Sequence, residues 1–320
     1  MRRSDNSLAA VLLVGRLVDA EVAPFKASEY RNLCSQLGEP ASLLGQTATE
    51  LESRGAEPSL SERIARLLER AVPVAFELDR YQDAGIWTIT EHDDSYPEHL
   101  RQRLGSKAPV LLHGSGSPEI LGQAGIGVVG SRAVSEEGAE VAREAAGHAA
   151  ALGVPLVSGG ARGVDQIAMN AAHQAGGSVV AVLADALAKT IVRTDVREAL
   201  LDGNTAMCTP YGPEAGFSVG NAMGRNKIIY GLAAVTMVVA SDFESGGTWA
   251  GATEALRHNF GRLVVWNARG EGPGNASLIE RGGVAITEVG ELDAILQQPE
   301  EPREEPPEVV QDPLFPGRSP

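Results

Sequence analysis

The sequence predicts an α/β protein: a doubly wound, mainly parallel sheet preceded by a small helical domain. From Gly125 onward, short apolar runs alternate with Ala-rich segments of helical periodicity. Apolar strands joined by helical crossovers imply parallel strands covered on both faces. Ahead of them, residues 1–105 are rich in Ala, Leu and Glu and read as helical.

In chain order, residues 1–80 form the helical domain. Leu60, Ile64, Leu67 and Leu68 recur at helical spacing after a cap at Ser59 or Ser61. A module of this kind either binds DNA or a partner, or only packs; both readings stay open. Residues 81–125 lead into the sheet, and APVLLHGSG within them is a short strand-like run ended by glycines. The sheet domain covers residues 126–296, with strands expected at Ile126–Val129, Val154–Ser158, Ser178–Leu183, Thr205–Thr209, Val235–Ala240 and Arg262–Trp266. Residues 297–320 are too rich in Pro and Glu to bury a core, so disorder is expected there.

Of the 320 residues 43% are hydrophobic and 22% charged, the balance of a soluble globular protein. No apolar run reaches the length of a membrane span. The opening MRRSDNSLAAVLLVG has two arginines and an apolar stretch, but that stretch is short and no small-residue cleavage site follows, so no signal peptide is expected. Cys34 and Cys208 cannot build a disulfide framework or a zinc site, which suits a reducing cytoplasm, and no metal is expected. Net charge is −15, of which the five Glu, one Asp and two Arg after Pro299 supply −4. A nucleic-acid site would therefore be a local basic groove on an acidic body.

Four segments carry the candidate chemistry. Gly130-Ser131-Arg132 follows the first strand and precedes a helix opening near Ser135, so free backbone N–H groups and a guanidinium meet at one turn. The formal GxGxxG over Gly125–Gly130 is the strand itself rather than the turn after it, which excludes a dinucleotide reading. Ser158-Gly159-Gly160-Ala161-Arg162-Gly163 follows the second strand; its glycines admit a phosphate and Arg162 supplies a fork. Asp165 at the next helix start reads first as a cap and otherwise as a holder of Arg162. Asn221, Arg225, Asn226 and Lys227 cluster in a loop ahead of a buried strand, and Gly246-Gly247-Thr248 opens a further helix. Four such segments at one end of one sheet make a phosphate-lined groove. Trp249 beside the last of them is the candidate for base stacking, whereas Trp266, on an apolar strand, is core. His148 and His173, inside Ala-rich helices, read as packing or surface residues.

SYPEHLRQRLGSKAPVLLHGSGSPEIL, IGVVGSR, VPLVSGGARGVDQIAMNAAHQAGGSVVAVLA, GRNKIIYGLAAVTMVVA and GNASLIERGGVAITEVGELDAIL follow one another in this order. Together they resemble the DNA-processing protein A (DprA/Smf) family over about residues 80–296. The resemblance implies an extended Rossmann-like fold that binds single-stranded DNA in a basic pocket, without a cofactor and without catalysis. It also implies a homodimer that hands DNA to the RecA recombinase in uptake, transformation or recombination. By motif position, Ser131 and Arg132, the Ser158–Arg162 turn, and Arg225 with Lys227 inherit the phosphate contacts. The chain departs from the family's usual patterns at Ala184–Ala188 and at Cys208-Thr209, and it has an acidic tail where many members carry a winged helix.

Two other readings compete. Gly246-Gly247-Thr248 with Glu254 resembles the motif of nucleoside-monophosphate phosphoribohydrolases on a related fold, which would make Glu254 catalytic in N-glycoside cleavage; Trp249-Ala250-Gly251 breaks that spacing. A family-like chain without the winged helix could instead restrain a partner enzyme in a defence or toxin–antitoxin system.

Overall fold

The apolar runs become strands of one nine-stranded sheet in the computed structural model, which describes residues 3–298. In chain order these are β1 (Trp87–Thr90), β2 (Leu111–Gly116), β3 (Gly125–Val129), β4 (Leu156–Ser158), β5 (Val179–Val182), β6 (Thr205–Thr209), β7 (Ala233–Val238), β8 (Arg262–Trp266) and β9 (Val284–Ile286). Across the sheet their order is β1-β2-β6-β5-β4-β3-β7-β8-β9. All pairs from β6 to β9 are parallel; β1 and β2 add an antiparallel margin. The chain winds outward from β3 through β6, then returns to β7 beside β3 and winds the other way. A crevice must open where the direction reverses, beyond the carboxyl ends of β3 and β7.

Alternation along the strands divides the core. Val235 and Met237 of β7 and Val264 of β8 pack on α7 (Glu136–Ala151), α8 (Val164–Gln174) and α14 (Glu291–Gln297). Val238 and Val265 face α6 (Glu98–Leu104), α11 (Val219–Leu232), α12 (Gly246–His258) and α13 (Asn275–Glu280). Ala142, Ala145 and Ala149 of α7 and Ala168 and Ala172 of α8 keep the helix–sheet contact thin and are almost fully buried. Ser135 caps α7, its Oγ accepting from Gly138 N at 3.1 Å, as the sequence indicates. Two short helices, α9 (Leu187–Thr190) and α10 (Thr194–Leu201), connect β5 to β6.

The first helices are α1 (Asp5–Val14), α2 (Ala27–Leu37), α3 (Ala48–Ser53), α4 (Pro58–Leu68) and α5 (Ala71–Asp83), enclosing a core with Leu13, Tyr30, Leu51, Ile64 and Leu67 at its centre. The apolar stripe of α4 is as expected, but its start is not. Glu57 is the N-cap and Pro58 the first helical residue, while Ser59 and Ser61 lie inside the helix. Arg31 ties α2 to the sheet domain through Glu91 at 2.5 Å and the Ala108 carbonyl at 2.9 Å.

Three expectations change. Residues 81–125 do not merely lead into the sheet; they contribute its two antiparallel strands. Val154 and Pro155 stay outside β4, and β7 starts earlier and ends at Val238. The Asn221–Lys227 segment is not a loop but the first half of α11, which Ser218 caps through Asn221 N at 2.9 Å. Gln297 closes α14, and the acidic tail from Pro299 lies outside the described residues. Among the described residues no helix is long and apolar enough to cross a membrane, no acidic, His or Cys cluster could hold a metal, and both cysteines are free.

Candidate functional site

A cavity of about 450 Å³ fills the crevice at the carboxyl ends of β3 and β7. The turn Gly130–Ala133 forms one wall, the inner face of α11 the second, and the first turn of α12 the third. Hydrogen bonds pin these walls, the first to the chain after β7 and to α8, and the second to the third. Ser131 N donates to the Ala240 carbonyl at 2.7 Å, Val164 N donates to the Ser131 carbonyl at 3.3 Å, and Asn226 Nδ2 donates to the Gly247 carbonyl at 3.0 Å. Gly163 is required at the crossing of two turns. Its φ is +83°, and a Cβ there would stand 2.3 Å from the Ser131 carbonyl oxygen.

The charges beneath the cavity are arranged unusually. Asp165 is 5% exposed, and its Oδ2 accepts from Gly159 N at 3.2 Å and Ala161 N at 3.4 Å. The amides that the glycine turn was expected to offer a phosphate are thus occupied by a carboxylate of the chain itself. Asp165 caps neither its own helix, whose N-cap Gly163 has no side-chain bond, nor Arg162. Instead it braces the preceding turn. Burial pushes its carboxyl up to about 6, against the opposing pull of Arg225 and backbone N–H groups.

Arg225 is 6% exposed, and its Nε and Nη1 are buried without a hydrogen-bond partner. Its guanidinium fills the place that a side chain at Gly159 would take, with Nη1 only 1.6 Å from where that Cβ would stand. Burial lowers its pKa and Asp165 opposes the change. Arg225 lines the cavity, and although Nη1 itself is closed off beneath Gly159, a buried guanidinium without an ion pair draws an oxyanion to that wall. The first turn of α12 adds to it: Gly246, Gly247 and Thr248 line the cavity, and their cap Ser245 makes no side-chain bond to the first-turn amides. Arg132 stands exposed at the rim and forms no ion pair with a described residue. The carboxylate of Asp242 also lines the cavity.

The cavity therefore gathers Gly130, Ser131, Arg132, Arg225, Asn226 and Gly246–Thr248 from the residues expected at the site. It leaves others out. Ser158 is fully buried, its Oγ donating to the Val128 carbonyl at 2.7 Å, which makes it a strand brace. Gly159 and Gly160 shape the turn above Arg225 and Asp165, and Arg162 is exposed outside the cavity. Asn221 faces a neighbouring cavity, its Nδ2 donating to the Gly216 carbonyl at 3.2 Å. Lys227, two residues from Arg225 on a helix, points elsewhere, with Glu254, Lys107 and Arg31 as its charged neighbours. Glu254 likewise lines no part of the cavity, so the hydrolase reading loses its carboxylate.

Trp249 is not available for stacking. It is 9% exposed in the core, with Phe243 edge-on at 5.5 Å and the Arg281 guanidinium 5.3 Å from its ring. Trp266 is core as expected. The exposed aromatic at the cavity mouth is Phe217, 60% exposed and missed in the sequence, although an apolar residue just before a serine cap is a recognisable helix-start signal. His148 and His173 are partly exposed beside Asp293 and Asp202, respectively.

The family model for DNA recombination-mediator protein A matches residues 87–297, from β1 through α14. The chain belongs to this family. Among relatives of the recombination-mediator protein, Protein Smf of Escherichia coli is 34% identical over 209 residues, 64% of this chain and 55% of that one. The DNA processing protein DprA of Streptococcus pneumoniae is 33% identical over 155 residues, 48% of this chain and 54% of that one. The chain thus spans about half the length of the curated relatives it matches. The X-ray structure of DprA from Streptococcus pneumoniae matches with a TM-score of 0.67 at 23% identity, covering 92% of this chain and 98% of that one. DNA processing protein A of Helicobacter pylori, whose structure describes its single-stranded DNA binding mode, matches with a TM-score of 0.54 at 22% identity, covering 66% and 95%. These two likenesses establish the extended Rossmann-like fold of the mediator protein.

Proposed function

We propose that this recombination-mediator protein binds single-stranded DNA, with a backbone phosphate held in the cavity between β3 and β7. The observation that carries this reading is Arg225: a buried guanidinium on the cavity wall whose Nε and Nη1 have no internal partner. The first-turn amides of Gly246–Thr248, the Ser131 hydroxyl and Arg132 at the rim would complete the contacts. All are noncovalent, and they recognise phosphate rather than base, so sequence preference is weak. Family membership supports the wider setting: a cytoplasmic homodimer that passes DNA to a recombinase of the RecA type during uptake or recombination.

The test is fluorescence anisotropy with labelled single-stranded DNA at low salt, beside a duplex of the same sequence. Arg225→Gln and Arg132→Ala each remove a charge-assisted bond, typically ~1.5–3 kcal/mol, and weaken binding about tenfold to a hundredfold for every sequence alike. Lys227→Ala, which alters no cavity wall, leaves affinity within about twofold. Wild-type protein that binds no single strand at micromolar concentration removes the reading.

A further inference from the structure

A second cavity, of about 610 Å³, lies on the other side of the α11 start, between the helical module and the margin of the sheet. Its outer wall belongs to residues 14–27, the loop between α1 and α2, and its inner wall to residues 210–215, between β6 and α11. The walls touch: a Cβ at Gly212 would stand 3.2 Å from the Arg16 carbonyl oxygen. Tyr211 lines this cavity, and its hydroxyl donates to the Asn221 carbonyl at 2.9 Å, anchoring the wall to α11.

The charges in this cavity are not balanced. Arg16 and Lys26 both line it, both are exposed, and neither is ion-paired with a described residue. Glu214 lines the same cavity, and Glu29 accepts from the Lys26 backbone N–H at 2.7 Å and feels its charge, but each carboxylate also holds an arginine. Glu214 binds Arg80 at 3.0 Å, and Glu29 binds Arg63 at 3.3 Å. On a chain of net charge −15, two exposed cations without an ion pair against one lining carboxylate, itself bound to Arg80, leave the hollow locally positive.

The two cavities are neighbours along the chain. Ala215 lines the second and Phe217 the first, which places them at most ~7 Å apart along the backbone. Phe217 at 60% and Val219 at 72% exposure line the first hollow, flanked in sequence by Ala215 and Asn221 of the second. Phosphate-seeking cations on both sides of an exposed aromatic are the pattern of a single-strand track, in which the backbone follows charge and a base rests on a ring.

We infer that the second cavity is an extension of the DNA site: a strand leaving the Arg225 cavity crosses Phe217 and places its next phosphates on Arg16 and Lys26. This rests on the single-stranded-DNA reading above. It gives the helical module a direct part in binding, as the outer bank of the track.

The experiment compares wild type with the Arg16→Ala/Lys26→Ala double variant on oligo-dT of about four and about twenty nucleotides, a range that brackets the strand one small domain covers. Both substituted residues are exposed, so the fold is retained. With the long oligomer the variant should bind about tenfold more weakly. Its log–log salt slope should fall by about 1.4, the value for two phosphates on a single strand. With the short oligomer the two proteins should agree within about twofold, because a short strand fits in the Arg225 cavity alone. Equal affinity and equal slope on the long oligomer overturn the inference while leaving the Arg225 site standing. So does equal weakening on both lengths. If wild type binds neither length, the single-stranded-DNA reading fails and takes the track with it.

Discussion

Arg225 and Asp165 are buried beneath one turn as opposite charges that do not form an ion pair. Asp165 spends its carboxylate on the amides of Gly159 and Ala161, and Arg225 keeps Nε and Nη1 without a partner. The carboxylate offsets the guanidinium electrostatically but does not quench its donors. An incoming oxyanion therefore finds a desolvated cation that loses little hydration on binding.

Ligand binding should stabilise the protein through that residue. At a hundredfold excess over Kd, a single-stranded oligonucleotide adds ~2.7 kcal/mol to a folded state that alone can bind it. For a chain of this length that is a rise in Tm of a few degrees. Differential scanning fluorimetry should record the rise in wild type and its loss in Arg225→Gln at the same oligonucleotide concentration.

Asp165→Asn tests the brace. The amide keeps one oxygen for Gly159 and Ala161 and, like the protonated acid, carries no charge, so at pH 7 it escapes the burial penalty of the carboxylate and stability does not fall. The pH dependence changes instead. The folded-state pKa of about 6 exceeds the ordinary 3.8, so the folded protein holds the proton more tightly. Wild-type stability from this group is fully present below pH 3.8 and is lost as pH rises through about 6, a contribution of ~3 kcal/mol. Urea titrations between those pH values should show the variant without that slope.

His113 acts in the opposite sense. It is 1% exposed and paired with Thr88 Oγ1 at 2.8 Å, and burial drives its pKa from 6.5 down to about 3. Its contribution is complete above pH 6.5 and is lost as pH falls through about 3, by a few kcal/mol. His113→Gln should flatten acid unfolding over this range. Acid stability that matches wild type throughout would show that His113 is protonated in the folded state.

Gly163→Ala should distort the site without touching its charges. The substitution forces φ = +83° on a residue with a Cβ and drives that Cβ toward the Ser131 carbonyl. A loss of ~1–3 kcal/mol in stability is expected. A shift of the Ser131–Arg132 turn should accompany it, read as weaker DNA binding at unchanged net charge.

The parallel part of the sheet was legible because its strands are short, largely apolar and alternate with Ala-rich helical segments. β1 was not, since WTIT alternates apolar with polar residues, and Thr88 and Thr90 are buried only through side-chain bonds to His113 and Ser7 that spacing does not reveal. The α11 segment misled for a definite reason. Gly220 and Gly224 look like loop residues and Ile228-Ile229-Tyr230 looks like a strand, yet Ser218 supplies a cap and Gly224 clears space for the Tyr211 hydroxyl. Reading it as a helix separates Arg225 from Lys227. The three-dimensional partner of the glycine turn was also hidden, because spacing does not distinguish an Asp that caps its own helix from one that reaches back to Gly159 and Ala161. Trp249 looked available beside a glycine pair, but on a helix it turns inward toward the core.

The pinning of the cavity walls has a further consequence. Because Ser131 is already held to Ala240 and Val164, and Asn226 to Gly247, the hollow does not have to assemble around its guest. A receptor that keeps its shape when empty spends little ordering entropy at the moment of capture. It selects by steric fit and should engage a passing polymer at the rate of encounter, with release rather than closure setting how long the polymer stays.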